Sequence, residues 1–438
     1  MPADHANQDS LVIHWFRRDL RLRDNTALIS ALNSGIPVMP LFILDENILK
    51  RLDPDDRRMT FIFGALDELD RQLSQLGSGL KLLYGSPEQL FSRLTAEYPV
   101  RAVYTNADYE PYALQRDDRI EKLLALQGIR LHTFKDQVIF EKGEILKDNG
   151  EPYSVFTPYS RKWMARLMQD TSCLKEQPFP SNPQFMRTTG SPGIKLSDIG
   201  FKESFSVWSA PLLNEDLIRK YETTRDFPAL DATSHMSIHL RFGTVSIREL
   251  VRKGLRLNQT WLNELIWREF FMQVLYHYPF VVERPFKQQY EKIVWRNNEP
   301  EFEKWCNGLT GYPLVDAGMR QLRETGYMHN RVRMVTASFL CKHLLIDWRW
   351  GEAWFARYLL DFELSSNNGN WQWAAGTGCD AAPYFRIFNP ENQLKTYDAG
   401  QEYVRKWLPE YGKPGYPKPV VDHVAARNRC LQAYSVVK

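Results

Sequence analysis

Two indoles stand one residue apart in the stretch SSNNGNWQWAAGTG at 365–378, and an indole is a side chain that can pass an electron as well as pack. Trp371 and Trp373 are too large and apolar to be casual loop residues. The Asn and Gly residues before them predict a polar turn that interrupts any helix. Just upstream, Asp361 and Glu363 flank Phe362, and acidic groups beside turn amides suit the hydroxyls and ring nitrogens of a flat ligand.

Other stretches carry similar mixtures. On a helix over 260–271 (TWLNELIWREFF), Trp261, Glu264, Arg268 and Phe271 share one stripe, with Trp267 beside it. A core helix in which Glu264 and Arg268 simply pair at i,i+4 fits the same spacing. Over 327–341, Asn330, Met334, Ser338 and Cys341 share a face next to Arg331, and a Met thioether there suits either a flat ligand or a core gap. TSHMS at 233–237 opens a helix with three hydroxyls, which reads as a phosphate cradle or as an ordinary cap. No Walker loop, Ser-His-Asp order or paired-carboxylate hydrolase signature is present, which leaves a cofactor enzyme or a binding module.

These residues need a scaffold, and 438 residues at 43% apolar content supply two or three domains. Short β-rich runs at 11–16, 37–44, 80–84, 101–105 and 129–134 alternate with helical patterns such as 58–76. They predict an α/β domain over 1–134, a parallel sheet with helices on both faces. Ser86, Pro87 and Gln89 predict a helix start with a capping box. HWFRRDLRLRDN follows the first strand where a dinucleotide fingerprint would need GxGxxG. Prolines 152, 158, 178, 180, 183 and 192 break any long period, so 135–202 reads as a wrapping linker. An all-α domain over 203–438 follows.

Five cysteines without a CxxC pair predict neither disulfides nor zinc, and the His235/His239 pair lacks further ligands at metal spacing. No 18-residue apolar run exists and the first ten residues are polar, so a soluble, cytoplasmic protein without membrane contact is expected. Net charge is only +3, but residues 251–350 hold 15 Lys/Arg against 10 Asp/Glu, interleaved with aromatic residues.

In order along the chain, HWFRRDLRLRDN, YETTRDFPALDATSHMS, WLNELIWREFF, TGYPLVDAGMRQLRETGYMHNRVRMVTASFL, DWRWGEAWFARYLLDFELSSNNGNWQWAAGTGCDAAPYFRIFNP and PVVDHVAARNRCLQAY resemble the hallmarks of the DNA photolyase/cryptochrome family. Within it the chain is most similar to class I cyclobutane pyrimidine dimer photolyases. The resemblance implies an α/β antenna domain and a helical domain that holds FAD folded into a U, active when reduced. By matching motif, Tyr221, Thr233, Ser234, His235, Met236, Ser237, Trp261, Asn330, Asp361, Phe362 and Glu363 would hold FAD. Asn367 would face the flavin N5 edge, and Trp371, Trp348 and Trp295 would carry electrons in from the surface.

The implied partner is UV-damaged DNA containing cyclobutane pyrimidine dimers, bound by a monomer on the bacterial nucleoid. Trp267 and Trp373 would wall the flipped-out dimer, Asn330 and Met334 would touch it, and Glu264 would hydrogen-bond its pyrimidine edge. Arg225, Arg268, Arg331 and Gln393 would meet the DNA backbone. Glu264, Asn367 and Met334 are the expected catalytic residues. Asn367, His329-Asn330 and the few residues after CLQAY separate the chain from cryptochrome sensors and from (6-4) photolyases, the rival readings within the family. The missing GxGxxG argues against a plain redox flavoprotein.

Two departures stand out. His235 occupies a position where many relatives carry Arg. Tyr112, Ala113, Val281 and Val282 replace polar folate contacts, so a deazaflavin or flavin is expected as antenna over a folate, stacked on residues such as Trp15, Phe16 and Tyr109.

Overall fold

The computed structural model describes residues 10–188, 193–204 and 209–437. Pro192 and the first nine residues lie outside that set. The chain forms two compact units: Met1–Glu144 with Ala165–Leu213 and Met236–Lys253, and Ile145–Met164 with Asn214–His235 and Gly254–Lys438. Met236–Lys253 therefore groups with the first unit, although most of the chain after 203 belongs to the second.

The first unit is built on five parallel strands, β1 (Leu11–Phe16), β2 (Val38–Asp45), β3 (Lys81–Gly85), β4 (Val100–Asn106) and β5 (Arg130–Phe134). Their order is β3-β2-β1-β4-β5. Both faces are covered, which is why β1 and β2 are apolar almost without interruption. Val12 and Phe16 join Leu28, Phe61 and Leu69 on one face, while Ile13 and Trp15 join Phe91, Leu94 and Ile120 on the other. Order reverses between β1 and β4, so the loops after Phe16 and Asn106 open a crevice at the strand ends, where α/β sheets bind ligands. One local expectation fails. Pro87 does start a helix, but the Ser86 hydroxyl donates to the Glu88 carboxylate at 2.8 Å and caps nothing, so the box with Gln89 is absent.

The second unit is helical, with a core that includes Trp305, Met319, Val332, Leu340, Trp348, Phe355 and Trp371. A 14-residue helix, Phe156–Gln169, lies inside the stretch expected to be irregular. Pro158 is tolerated because it falls in the first turn, where its missing N–H costs no bond. Phe156, Tyr159 and Trp163 recur at helical spacing and are buried.

A second correction concerns 365–370, which is no turn. The helix Leu364–Ala375 runs through SSNNGNWQW and stops only at Gly376, at φ 87°. Tertiary contacts override the weak propensity of Asn and Gly. The Asn367 amide donates to the Glu352 carbonyl at 3.1 Å, and Asn368 donates to the Val281 carbonyl at 2.9 Å. Gly369 allows close approach to the Gln259–His277 helix, since a Cβ there would lie 2.1 Å from the Phe271 ring.

Candidate functional site: a cavity in the helical unit

Three helices of the second unit, Asn330–Ser338, Trp348–Tyr358 and Leu364–Ala375, surround a cavity with about 600 Å³ of empty space, partly open to solvent. Its lining brings together Asn330, Met334, Asp361, Phe362, Glu363, Asn367, Trp371 and Trp373. Asn330 and Met334 sit one turn apart on one face, the amide 3.9 Å from the thioether sulfur. Trp371 is 2% exposed, and it lies so close to the next helix that a Cβ at Gly351 would come within 2.1 Å of its ring.

A second opening carries the TSHMS start. Thr233 and His235 line it with Tyr327 and His329. His235 stands in the left-handed region at φ 52° and pairs with Asp231 at 2.9 Å. The two openings are tied together by Arg333 and Tyr327, neither of which the sequence singled out. Arg333 pairs with Asp361 at 2.9 Å and lies 5.5 Å over the Tyr327 ring. The Tyr327 hydroxyl is 3.1 Å from that of Thr233. Trp261 donates to Ser234 at 3.4 Å. Met236 and Ser237 open the helix Met236–Phe242 of the first unit. The signal for Arg333 was its place three residues after Asn330, one turn along the same helix.

Two polar groups at this cavity have no partner among the described residues. The Trp371 Nε1 is buried without one. Asn367 spends its amide nitrogen on Glu352 and keeps its Oδ1 free. A buried polar atom left unpaired costs about 1–3 kcal/mol, so such a cluster beside a cavity fits a ligand carrying its own donors and acceptors. A flavin nucleotide meets that description. Its ring would find the Asn367 oxygen, and its hydroxyls and phosphates the Asp361, Thr233 and Ser234 groups.

The sequence profile described as DNA photolyase matches residues 12–184, and the one described as FAD binding domain of DNA photolyase matches residues 261–414. The deoxyribodipyrimidine photo-lyase of Synechococcus sp. is 35% identical over 98% of this chain and 97% of its own length. The chain belongs to the DNA photolyase/cryptochrome family. A solved bacterial class III photolyase from Agrobacterium tumefaciens is 33% identical, with a TM-score of 0.87 over 99% of both chains. The archaeal photolyase from Sulfolobus tokodaii, solved with two FAD molecules, gives 0.80 at 32% identity over 98% of this chain and 100% of that one. Like its relatives, the chain has an N-terminal α/β domain with a parallel sheet and a helical FAD-binding domain.

The photolyase residues expected at DNA are arranged differently from a simple basic face. Glu264 and Arg268 do not pair with each other. Glu264 takes Arg225 at 2.5 Å, and Arg268 takes Glu363 at 3.3 Å with its side chain 11% exposed. Arg268 is thus enclosed with a carboxylate at the cavity, a poor position for a backbone phosphate contact. Arg331 pairs with Asp226 at 2.7 Å and stacks over Tyr397 at 4.3 Å. Gln393 keeps a buried, unpartnered Oε1. Burial pushes the Glu264 carboxyl up, and Arg225 pulls it back down. Burial likewise raises the Tyr221 phenol, with Glu264 adding to it, and the Arg225 guanidinium lies 5.4 Å over that ring.

Trp267 does not line the cavity; it stacks on Phe156 instead. Trp348 is 1% exposed, and Trp295 is half-buried against the same core. Trp305, which the sequence reading passed over, meets Trp371 edge-on at 6.1 Å.

The α/β domain has its own cavity, lined by Trp15, Asp45, Met59, Tyr112, Ala113 and Arg116 among others. Trp15, Phe16 and Tyr109 do not offer it stacking faces. Phe16 is fully buried and is not among the lining residues. Trp15 is covered by Arg17 at 4.9 Å and Arg116 at 4.8 Å, and Tyr109 is 3% exposed with its hydroxyl on Glu141.

Proposed function

We propose that this chain is a light-driven DNA repair enzyme that splits cyclobutane pyrimidine dimers, a deoxyribodipyrimidine photo-lyase most like class I. The observation that carries the reading is the shared cavity. It sets the free Asn367 oxygen beside Met334 and Trp373, so a flavin site and a lesion site adjoin. Bound in its reduced form, FAD supplies the electron that light makes available to the dimer.

The protein's own residues have separate tasks. Asn367, fixed through its amide nitrogen, presents a hydrogen-bond acceptor to the ring edge. Asp361 with Arg333, and Tyr221, Thr233, Ser234, His235, Met236, Ser237, Trp261, Asn330, Phe362 and Glu363, hold the nucleotide. Glu264, poised by Arg225, hydrogen-bonds the pyrimidine edge. Met334 and Trp373 contact the dimer from the cavity wall and the partly exposed Trp267 from outside it, while Arg225, Arg331 and Gln393 meet the strand. Trp371, Trp348 and Trp295 relay electrons inward when the flavin has become oxidised.

Domain limits of 1–134 for the antenna domain, 135–202 for the linker and 203–438 for the catalytic domain complete the proposal. The protein works as a cytoplasmic monomer. Among the described residues no helix is long and apolar enough to cross a membrane. The α/β cavity holds a deazaflavin or flavin antenna, because its apolar side chains suit a flat ring and its charged groups, already paired with one another, leave few partners for the polar groups of a folate. The test is chromatography of a defined dimer-containing oligonucleotide after illumination with the reduced protein. Restored thymines in light and none in the dark support the reading, whereas blue-light absorption without any dimer loss would favour a sensor.

A further inference from the structure

We infer that Phe156 is a positioning residue for Trp267 and that, through this stack, it sets how well the protein discriminates dimer-containing from undamaged DNA. The inference rests on the proposed role of Trp267 as a wall for the dimer. The Phe156 and Trp267 rings lie parallel, their centroids 3.6 Å apart and their planes within 6°. Phe156 is itself held, because its N–H donates to the Asp380 carboxylate at 2.9 Å. Its ring also meets Phe270 edge-on at 5.9 Å.

The rest of that helix grips the same turn. Trp163 donates to Glu269 at 2.7 Å and Tyr159 donates to the same oxygen at 3.3 Å. Glu269 is 3% exposed and stands two residues beyond Trp267. An element expected to be loose linker therefore clamps the segment that carries the wall. Phe271 also stacks on this indole, at 5.4 Å, and an indole bound to fixed rings has fewer orientations to lose when the dimer settles against it.

The test is a double-mutant cycle, read as dissociation constants in the dark for dimer-containing and undamaged duplexes, with the FAD-loaded protein. Phe156→Leu should weaken binding of dimer DNA by about three- to ten-fold, the cost of ordering one freed side chain. Affinity for undamaged DNA, the flavin absorbance and the FAD stoichiometry should stay unchanged. In a Trp267→Ala background the same substitution should add nothing. Should Phe156→Leu shed FAD, Phe156→Met, closer in volume, takes its place in the cycle. An effect of Phe156→Leu that persists without Trp267 would overturn the inference, as would tighter dimer binding or no change at all. If Trp267→Ala itself left discrimination intact, the assignment of Trp267 would fail, whatever Phe156 did.

Discussion

Around the cavity of the α/β domain, charged groups answer one another. Arg18 meets Asp108 and Glu110, Arg241 meets Glu110 at 2.7 Å, and Tyr112 donates to Asp45 at 2.7 Å. Around the helical cavity the Trp371 Nε1 and the Asn367 Oδ1 have no such partners among the described residues. The first site is chemically complete with protein alone, while the second needs a ligand to balance it. An antenna pigment would then be an addition to a finished pocket, and FAD would add more to the stability of the helical domain.

The largest effect should come from breaking the tie between the two openings of the helical site. Asp361→Ala leaves Arg333 beside the cavity without its carboxylate, and losing one partner of an enclosed ion pair costs about 3–5 kcal/mol. Purified Asp361→Ala protein should retain less than about a tenth of the wild-type FAD, judged by absorbance, because the nucleotide loses the carboxylate proposed to hold it together with the anchor of Arg333, and about 1.4 kcal/mol lost in binding is already tenfold. Wild-type FAD content would show that the pair does not hold the nucleotide. Removing an antenna pigment, by contrast, should lower the melting temperature less than removing FAD does.

Next in size is Trp348→Phe. It should abolish light-driven reduction of oxidised FAD by an external donor and spare repair by chemically reduced protein, since phenylalanine packs but does not relay. Loss of both activities would make Trp348 structural. Glu264→Gln should be milder: it keeps a hydrogen bond but removes the charge that Arg225 answers, so repair per absorbed photon should fall by about tenfold, equivalent to about 1.4 kcal/mol. An unchanged yield would dismiss Glu264 from the reaction.

The smallest effect concerns acid. Burial pushes the Glu352 carboxyl up from 4.5 to about 7, so the folded protein binds a proton there that the unfolded chain has released. Stability should therefore fall as pH rises through that window, and Glu352→Gln should flatten the slope. A slope unchanged in Glu352→Gln would place the proton elsewhere.

Much of this was legible in the sequence. Five apolar runs gave the parallel sheet, because strands buried on both faces must be apolar throughout. Asn330, Asp361, Asn367 and Trp371 do line one cavity. What escaped depended on partners distant in sequence. The Asn-rich helix at 364–375 forms because Glu352 and Val281 accept from its side chains. Glu264 and Arg268 look like a pair at i,i+4, yet each finds a better partner 39 and 95 residues away. For Arg333 the spacing from Asn330 was the one signal, and its role emerged only with Asp361 placed beside it.

On the proposed mechanism the helical domain, with its own flavin, repairs the dimer without help from the α/β cavity or the tryptophan relay. A single flash on fully reduced, pigment-free protein bound to a dimer-containing oligonucleotide tests it directly. Restored thymines are expected in wild type and Trp348→Phe alike, and none in the dark. No restored thymine in the wild type after the flash, with FAD bound and reduced, would contradict it.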